Sequence, residues 1–216
     1  MFKKGDKKTF KVLKNQQTER RATLSNHTKR TLGSGNLRLA VKVPDDEDRN
    51  EWIAANTLDF YNEISLLYGI CAEDANRFTK PGEGFPPSFE YRWAESGNKA
   101  ALRVSAPEYV DYVMTWVEDQ IDNDDIFPVS EAKPFPPDYM DYIRSIFKRL
   151  FRIFAIIYHQ HFDVIEKNEA AAHLNTCFKH FMFFVWEFQI LNEKKEFEAL
   201  KGPIKRLKEQ YDDQGR

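Results

Sequence analysis

Apolar residues recur at helical spacing along most of the chain. Across residues 50–68, Ile53, Thr57, Phe60, Ile64 and Leu67 fall on one face, and Gly69 follows where a helix is commonly stopped. Residues 107–121 read as a second helix through Tyr109, Tyr112, Val113 and Trp116. Residues 138–162 set Ile143, Phe147, Leu150, Phe154, Ile157 and Tyr158 on one stripe, which predicts a long core helix. A Phe-dense helix over 170–191 and a short terminal one over 203–211 complete the helical pattern. Strand alternation is confined to Phe89-Glu90-Tyr91-Arg92-Trp93, which pairs with Leu102-Arg103-Val104 as a hairpin around Ser96-Gly97-Asn98. Pro81, Pro86, Pro87, Gly82 and Gly84 make 77–88 a loop, and prolines punctuate the connector 128–137. The fold class that follows is all-α (mostly α), an irregular helical bundle with one small β-hairpin and no internal repeat.

Composition narrows the class. The chain has 216 residues, 42% of them hydrophobic, with 18 Phe, so it can bury a core without staples. Its two cysteines, Cys71 and Cys177, exclude a disulfide scaffold and a four-cysteine zinc site, and point to a reducing compartment. No segment approaches the roughly 18–20 apolar residues of a bilayer span, since Lys179, His180 and Glu187 interrupt the greasiest one. The amino-terminal residues lack the apolar run of an export signal, which places the chain in the cytoplasm or nucleus.

The net charge of −2 hides an asymmetry: residues 1–30 carry ten Lys or Arg against Asp6 and Glu19. The turn cluster Leu32-Gly33-Ser34-Gly35-Asn36 divides this chain into a basic flexible arm, 1–30, and a single helical domain, 31–216. Such an arm suits nucleic acid, an anionic lipid surface, or an acidic face of its own body. It lacks the interleaved aromatics of single-strand binders, and the acidic body repels nucleic acid. Acidic blocks occupy 45–51 and the stretch from Glu118 to Glu131, which contains six carboxylates and no Lys or Arg.

Two charged constellations stand out. Arg144, Lys148 and Arg152 repeat every four residues along one helix face, with Arg149 three before Arg152, and Phe147, Leu150 and Phe154 point the other way. Repelling cations on one stripe suit an anion, and Arg offers bidentate geometry to phosphate; pairing with the protein's own acids is the alternative. Glu51 and Asp59 lie two turns apart on one helix face, with Glu47 just ahead and Trp52 adjacent. That face could dock a basic amphipathic helix with the Trp as anchor, or simply cap a helix over a core Trp. A third group, His159, His161 and Asp163, would serve a metal-dependent hydrolase, but residues two apart on a helix face away from each other and no HExxH spacing follows. No phosphate loop or nucleophile elbow occurs, so nothing in the residues argues for catalysis.

Taken together, Thr31-Leu32-Gly33-Ser34-Gly35-Asn36-Leu37, Asn50-Glu51-Trp52-Ile53-Ala54, Ser105-Ala106-Pro107-Glu108-Tyr109, Met114-Thr115-Trp116, Lys148-Arg149-Leu150-Phe151-Arg152, Tyr158-His159-Gln160-His161-Phe162 and His173-Leu174-Asn175-Thr176 resemble the Mob (Mps one binder) family of kinase coactivators, in family order. The resemblance implies a bundle around a four-helix core without enzymatic activity. It implies binding to the basic N-terminal extension of NDR/LATS-type kinases, in Hippo-like, mitotic-exit or cytokinesis signalling at a spindle pole or division site. The family's kinase-docking positions fall on Glu47, Glu51, Trp52 and Asp59, and its phosphothreonine-reading positions on Lys148, Arg149 and Arg152. Thr31, and by a weaker likeness Thr9, match acceptors of upstream Ste20-like kinases.

Metal is the point of departure. The family's zinc ligands, two Cys and two His, fall here on Ala75, Lys80, Ile156 and His161, of which only His161 can ligate. The expectation is therefore a chain without zinc, whose loop from Glu73 to Pro87 either leans on Phe78, Phe85 and its prolines for order or is mobile.

Overall fold

The computed structural model describes residues 18–32, 35–94, 100–130, 132–192 and 194–215. Helices dominate, as the periodicity predicts: α1 (Glu19–Leu32), α2 (Leu37–Val41), α3 (Arg49–Ala75), α4 (Ala106–Ile121), α5 (Tyr139–Ile156), α6 (Phe162–Lys167), α7 (Ala171–Glu187), α8 (Lys194–Phe197) and α9 (Lys201–Asp213). The hairpin shrinks to β1 (Arg92–Trp93) and β2 (Leu102–Arg103), antiparallel with Arg92 opposite Arg103 and Trp93 opposite Leu102. Among the described residues no helix is long and apolar enough to cross a membrane.

The core is built where α3, α5 and α7 cross. Phe60 of α3 meets Phe147 of α5 edge-on at 5.7 Å and Phe181 of α7 at 5.3 Å, while Phe147 stacks on Phe184 at 5.8 Å. Such ring pairs add about 0.5–1.5 kcal/mol each beyond their buried area. α4 closes the fourth side, with Val110, Val113 and Val117 wholly buried.

Three boundaries differ from the sequence expectation. Gly69 does not stop α3; the helix runs on to Ala75 because Cys71 and Ala75 are still buried against the core. α7 ends at Glu187, before 191, and Gln189 adopts a left-handed φ of 52°. The long helix expected over 138–162 is interrupted by a π-turn, Ile157–His161, which re-aims the side chains that follow it. The arm, read as a flexible segment over 1–30, is helical from Glu19 onward and lies along α3.

Candidate functional site

The acidic face predicted on α3 exists, and the chain's own α1 covers it. Asp48 caps α3 by accepting from the amides of Asn50 and Glu51, which leaves Glu47 and Glu51 free to turn toward α1. Arg20 Nε donates to Glu47 Oε2 at 3.0 Å in a pair 36% and 27% exposed. Arg21, only 2% exposed, donates to Glu51 at 2.8 Å and to the Pro128 carbonyl at 2.6 Å. Ser25 Oγ donates to Asp59 Oδ1 at 2.9 Å, and Thr28 Oγ1 lies 3.4 Å from Asn56 Oδ1. Burial pushes the Asp59 carboxyl above its ordinary pKa, against the Ser25 bond and the nearby Lys29. The four α1 residues that sink into the body, Arg21, Leu24, Ser25 and Thr28, lie on one helix face, and three of the four are polar.

Trp52 is not an anchor offered to a guest. Its ring is fully buried and its Nε1 donates to the Val41 carbonyl at 3.0 Å, so it floors the face instead of projecting from it. Where α1 ends, a cavity of about 160 Å³ opens beside Asp59, lined also by Lys29, Glu63, His173, Cys177 and His180. His173 reaches Glu63 at 2.9 Å, while the buried His180 Nε2 has no partner among the described residues. Burial drives His180 down to about 3, so its ring is neutral. Sequence reasoning missed His180 because it sits inside the Phe-rich run and reads as core.

The basic stripe is divided among separate partners. Arg144 is exposed and donates to Asp141 at 2.6 Å, one turn back on its own helix. Arg152 is held bidentately by Glu196, at 3.0 Å from Nε and 2.6 Å from Nη2, and its Nη1 reaches the Tyr109 hydroxyl at 3.2 Å. Burial opposes the Arg152 charge, but the Glu196 bonds outweigh it and hold the guanidinium above the ordinary arginine pKa. Lys148 Nζ lies 3.5 Å from the same carboxylate. Arg149 is different. Its guanidinium stands 4.2 Å over the Trp116 ring and 5.6 Å from that of Trp93, donates to the Ser145 carbonyl at 3.1 Å, and meets no carboxylate among the described residues. It lines a cleft of about 460 Å³ with Trp116, Gln120, Tyr142 and Ser145.

The histidines of the π-turn diverge. His159 Nε2 pairs with the Ala199 carbonyl at 2.7 Å, and His161 Nδ1 with Asp74 Oδ2 at 2.7 Å, while Asp163 is exposed. They do not converge on a hydrolytic centre, and among the described residues no group of three His, Cys, Asp or Glu is placed to hold a metal. The zinc positions do not fit the ion either. Ala75 and Ile156 are buried without a donor atom and Lys80 is an exposed cation, so His161, whose Nδ1 pairs with Asp74, finds no co-ligand at the other three positions. Thr31 is the last threonine of α1, its hydroxyl 3.0 Å from the carbonyls of His27 and Thr28, and Thr9 lies outside the described residues.

Comparison with known proteins matches this arrangement to one family. Residues 29–200 match the Mob1/phocein family model. The chain is 46% identical over 201 residues to the MOB kinase activator-like 1A of Medicago sativa subsp. falcata, covering 92% of this chain and 93% of that protein. It is 45% identical over 208 residues to the MOB kinase activator-like 1A of Arabidopsis thaliana, covering 95% and 96%. The MOB kinase activator-like 1 homolog A of Dictyostelium discoideum is 46% identical over 201 residues, covering 92% of each chain. With the helical core, the motif order and these matches in agreement, the chain belongs to the Mob1/phocein family.

Proposed function

We propose that this protein is a non-catalytic kinase coactivator. It docks the basic N-terminal extension of an NDR/LATS-type kinase on the face formed by Glu47, Glu51 and Asp59 over Trp52. It holds a phosphothreonine partner, a phosphorylated scaffold or upstream kinase, at Lys148, Arg149 and Arg152. It works in the cytoplasm or nucleus. The observation that carries the first site is α1 itself: a basic helix of this chain already lies on that face through Arg20, Arg21 and Ser25. A kinase segment of the same chemistry would take its place. The half-buried cation at Arg149 supports the second site, because an arginine that meets no carboxylate among the described residues is poised for an incoming anion.

Phosphorylation of Thr31 gives α1 a reason to leave. The hydroxyl sits in the last turn, among carbonyls at the negative end of the helix dipole. A phosphate there brings a charge of about −1.5 to −2 and removes the donor, so the end of α1 should fray. In the same reading the chain needs no zinc. The Asp74–His161 bond ties α3 to the π-turn, Arg77 donates to the Gln160 carbonyl at 2.8 Å, and Gln160 donates to the Phe85 carbonyl at 2.7 Å.

Titration with a kinase N-terminal peptide tests the reading. Charge reversal by E51K together with D59K should weaken binding at least tenfold, since removing partners of a buried charge costs about 2–5 kcal/mol. Unchanged affinity in a variant whose circular dichroism is intact would show the docking face to be misassigned.

A further inference from the structure

Glu196 lies far along the chain from the basic stripe, between Lys195 and Phe197, in a segment with no recognised motif. The structure nevertheless brings its carboxylate onto the stripe: both oxygens bond Arg152, and Oε1 lies 3.5 Å from Lys148. The group is only 14% exposed. Burial works against its charge, yet the Arg152 and Lys148 contacts win and keep its pKa below the ordinary carboxylate value. The segment is fixed just beyond Glu196. Phe197 meets Phe151 edge-on at 5.5 Å, and the Ala199 carbonyl pairs with His159. It is a short strap laid across α5, with a carboxylate at its middle.

The chemistry at this spot is that of an occupied anion site. Two carboxylate oxygens face a guanidinium fork in the geometry that a phosphate would use. We propose that Glu196 is an internal placeholder for phosphate: a phosphothreonine captured first by Arg149 displaces the Glu196 carboxylate from Arg152 and Lys148 and releases the strap 194–200. This inference rests on the phosphothreonine reading given above. The exchange is feasible because a phosphate carries more charge than a carboxylate, about −1.5 to −2 against −1, and because Arg149 contributes a cation that Glu196 does not use. In the empty protein the placeholder spares Lys148 and Arg152 their mutual repulsion. In the liganded protein it frees a segment that leads directly into α9.

The test uses the full chain and a capped pentapeptide, Ala-Ala-phosphothreonine-Ala-Ala, with its unphosphorylated form as control. Affinity is measured for the wild type, E196Q, E166Q, R149A and R149A combined with E196Q. E166Q removes an exposed negative charge on α6, outside the Arg149 cleft and without contact to Arg152. E196Q should bind the phosphopeptide about tenfold tighter, E166Q within about threefold of wild type, and R149A should abolish binding in both backgrounds. Amide hydrogen exchange across 194–200 of the wild type should speed up when the phosphopeptide binds, and not with the control. If R149A abolishes binding but E196Q leaves affinity unchanged or weaker, and the strap stays protected, the placeholder is overturned while the phosphate site stands. If neither wild type nor E196Q prefers the phosphopeptide to its control, the phosphothreonine reading fails and the placeholder falls with it. Should E196Q lose its fold, the exchange measurement on the wild type decides alone: no acceleration across 194–200 overturns the proposal.

Discussion

His180 is a base that the fold keeps neutral. It packs 4.7 Å from Phe60, and burial pulls its pKa from 6.5 to about 3. Asp59, Glu63, His173 and Lys29 share its cavity, yet among the described residues its Nε2 has no partner. A base whose folded pKa is depressed is refused a proton that the unfolded chain accepts. Its contribution to stability is therefore complete above pH 6.5 and falls away as pH drops toward 3, at about 1.4 kcal/mol per unit. We expect H180L to flatten that slope: urea unfolding at pH 5.5 should cost the wild type about 1.4 kcal/mol relative to pH 7.5 beyond what the variant loses. Equal losses would place the proton elsewhere. The residue scale is also where sequence reading is weakest. Glu51 and Asp59 were legible as one face because their spacing of eight is close to two helical turns. Trp52 reads from sequence as either an anchor or a core residue, and only its full burial and the bond from Nε1 to the Val41 carbonyl decide for core. Glu196 was invisible, because nothing local marks an acid that finds its partners 44 residues away.

At the scale of elements, α1 shows why a helix can escape the hydrophobic pattern. Its buried face is Arg21, Leu24, Ser25 and Thr28, a correct helical register written mostly in polar letters because the surface it meets is acidic. The longer helices, whose buried faces are apolar, were legible in place and type; their ends moved by up to seven residues where buried contacts outran a local signal, as at Gly69. If α1 competes with the kinase segment, the strength of each contact sets how much it competes. Arg20 and Glu47 are both part-exposed, so R20A should change kinase-peptide affinity by less than about threefold. Arg21 is 2% exposed and holds both Glu51 and the Pro128 carbonyl. R21A should loosen α1 and raise peptide affinity about tenfold, because the open face is then more often populated. Calorimetric titration of the two variants side by side would read this ordering, and equal effects would argue that α1 does not gate the face.

For the whole molecule, what needs explaining is how the loop between α3 and β1, where the resemblance implies a metal that Ala75, Lys80 and Ile156 cannot ligate, stays attached to the bundle. The loop between α3 and β1 is pinned by backbone bonds, Gly82 N to the Val104 carbonyl and Ala106 N to the Glu83 carbonyl, both 2.9 Å. Gly84, at a left-handed φ of 82°, lets Phe78 and Ala106 close over it, since a Cβ there would sit 2.7 Å from the Phe78 ring. Phe85 packs on Tyr91 at 5.5 Å and Tyr109 at 6.0 Å. The aromatic support was legible from Phe78 and Phe85. The Asp74–His161 bond was not, because it needs the π-turn to aim His161 back at α3. If these contacts suffice, a strong chelator should leave the thermal midpoint unchanged, and elemental analysis should find no stoichiometric zinc. Removing the acceptor should instead expose the dependence: D74A leaves a buried imidazole N–H unpaired and should cost about 1–3 kcal/mol. The loss should appear in hydrogen exchange first across 76–87, ahead of global unfolding, since the clip joins that loop to the core without building the core itself. A midpoint that falls on chelation while D74A behaves like wild type would mean that a metal, held by donors other than the four family positions, does the work assigned here to the Asp74–His161 pair.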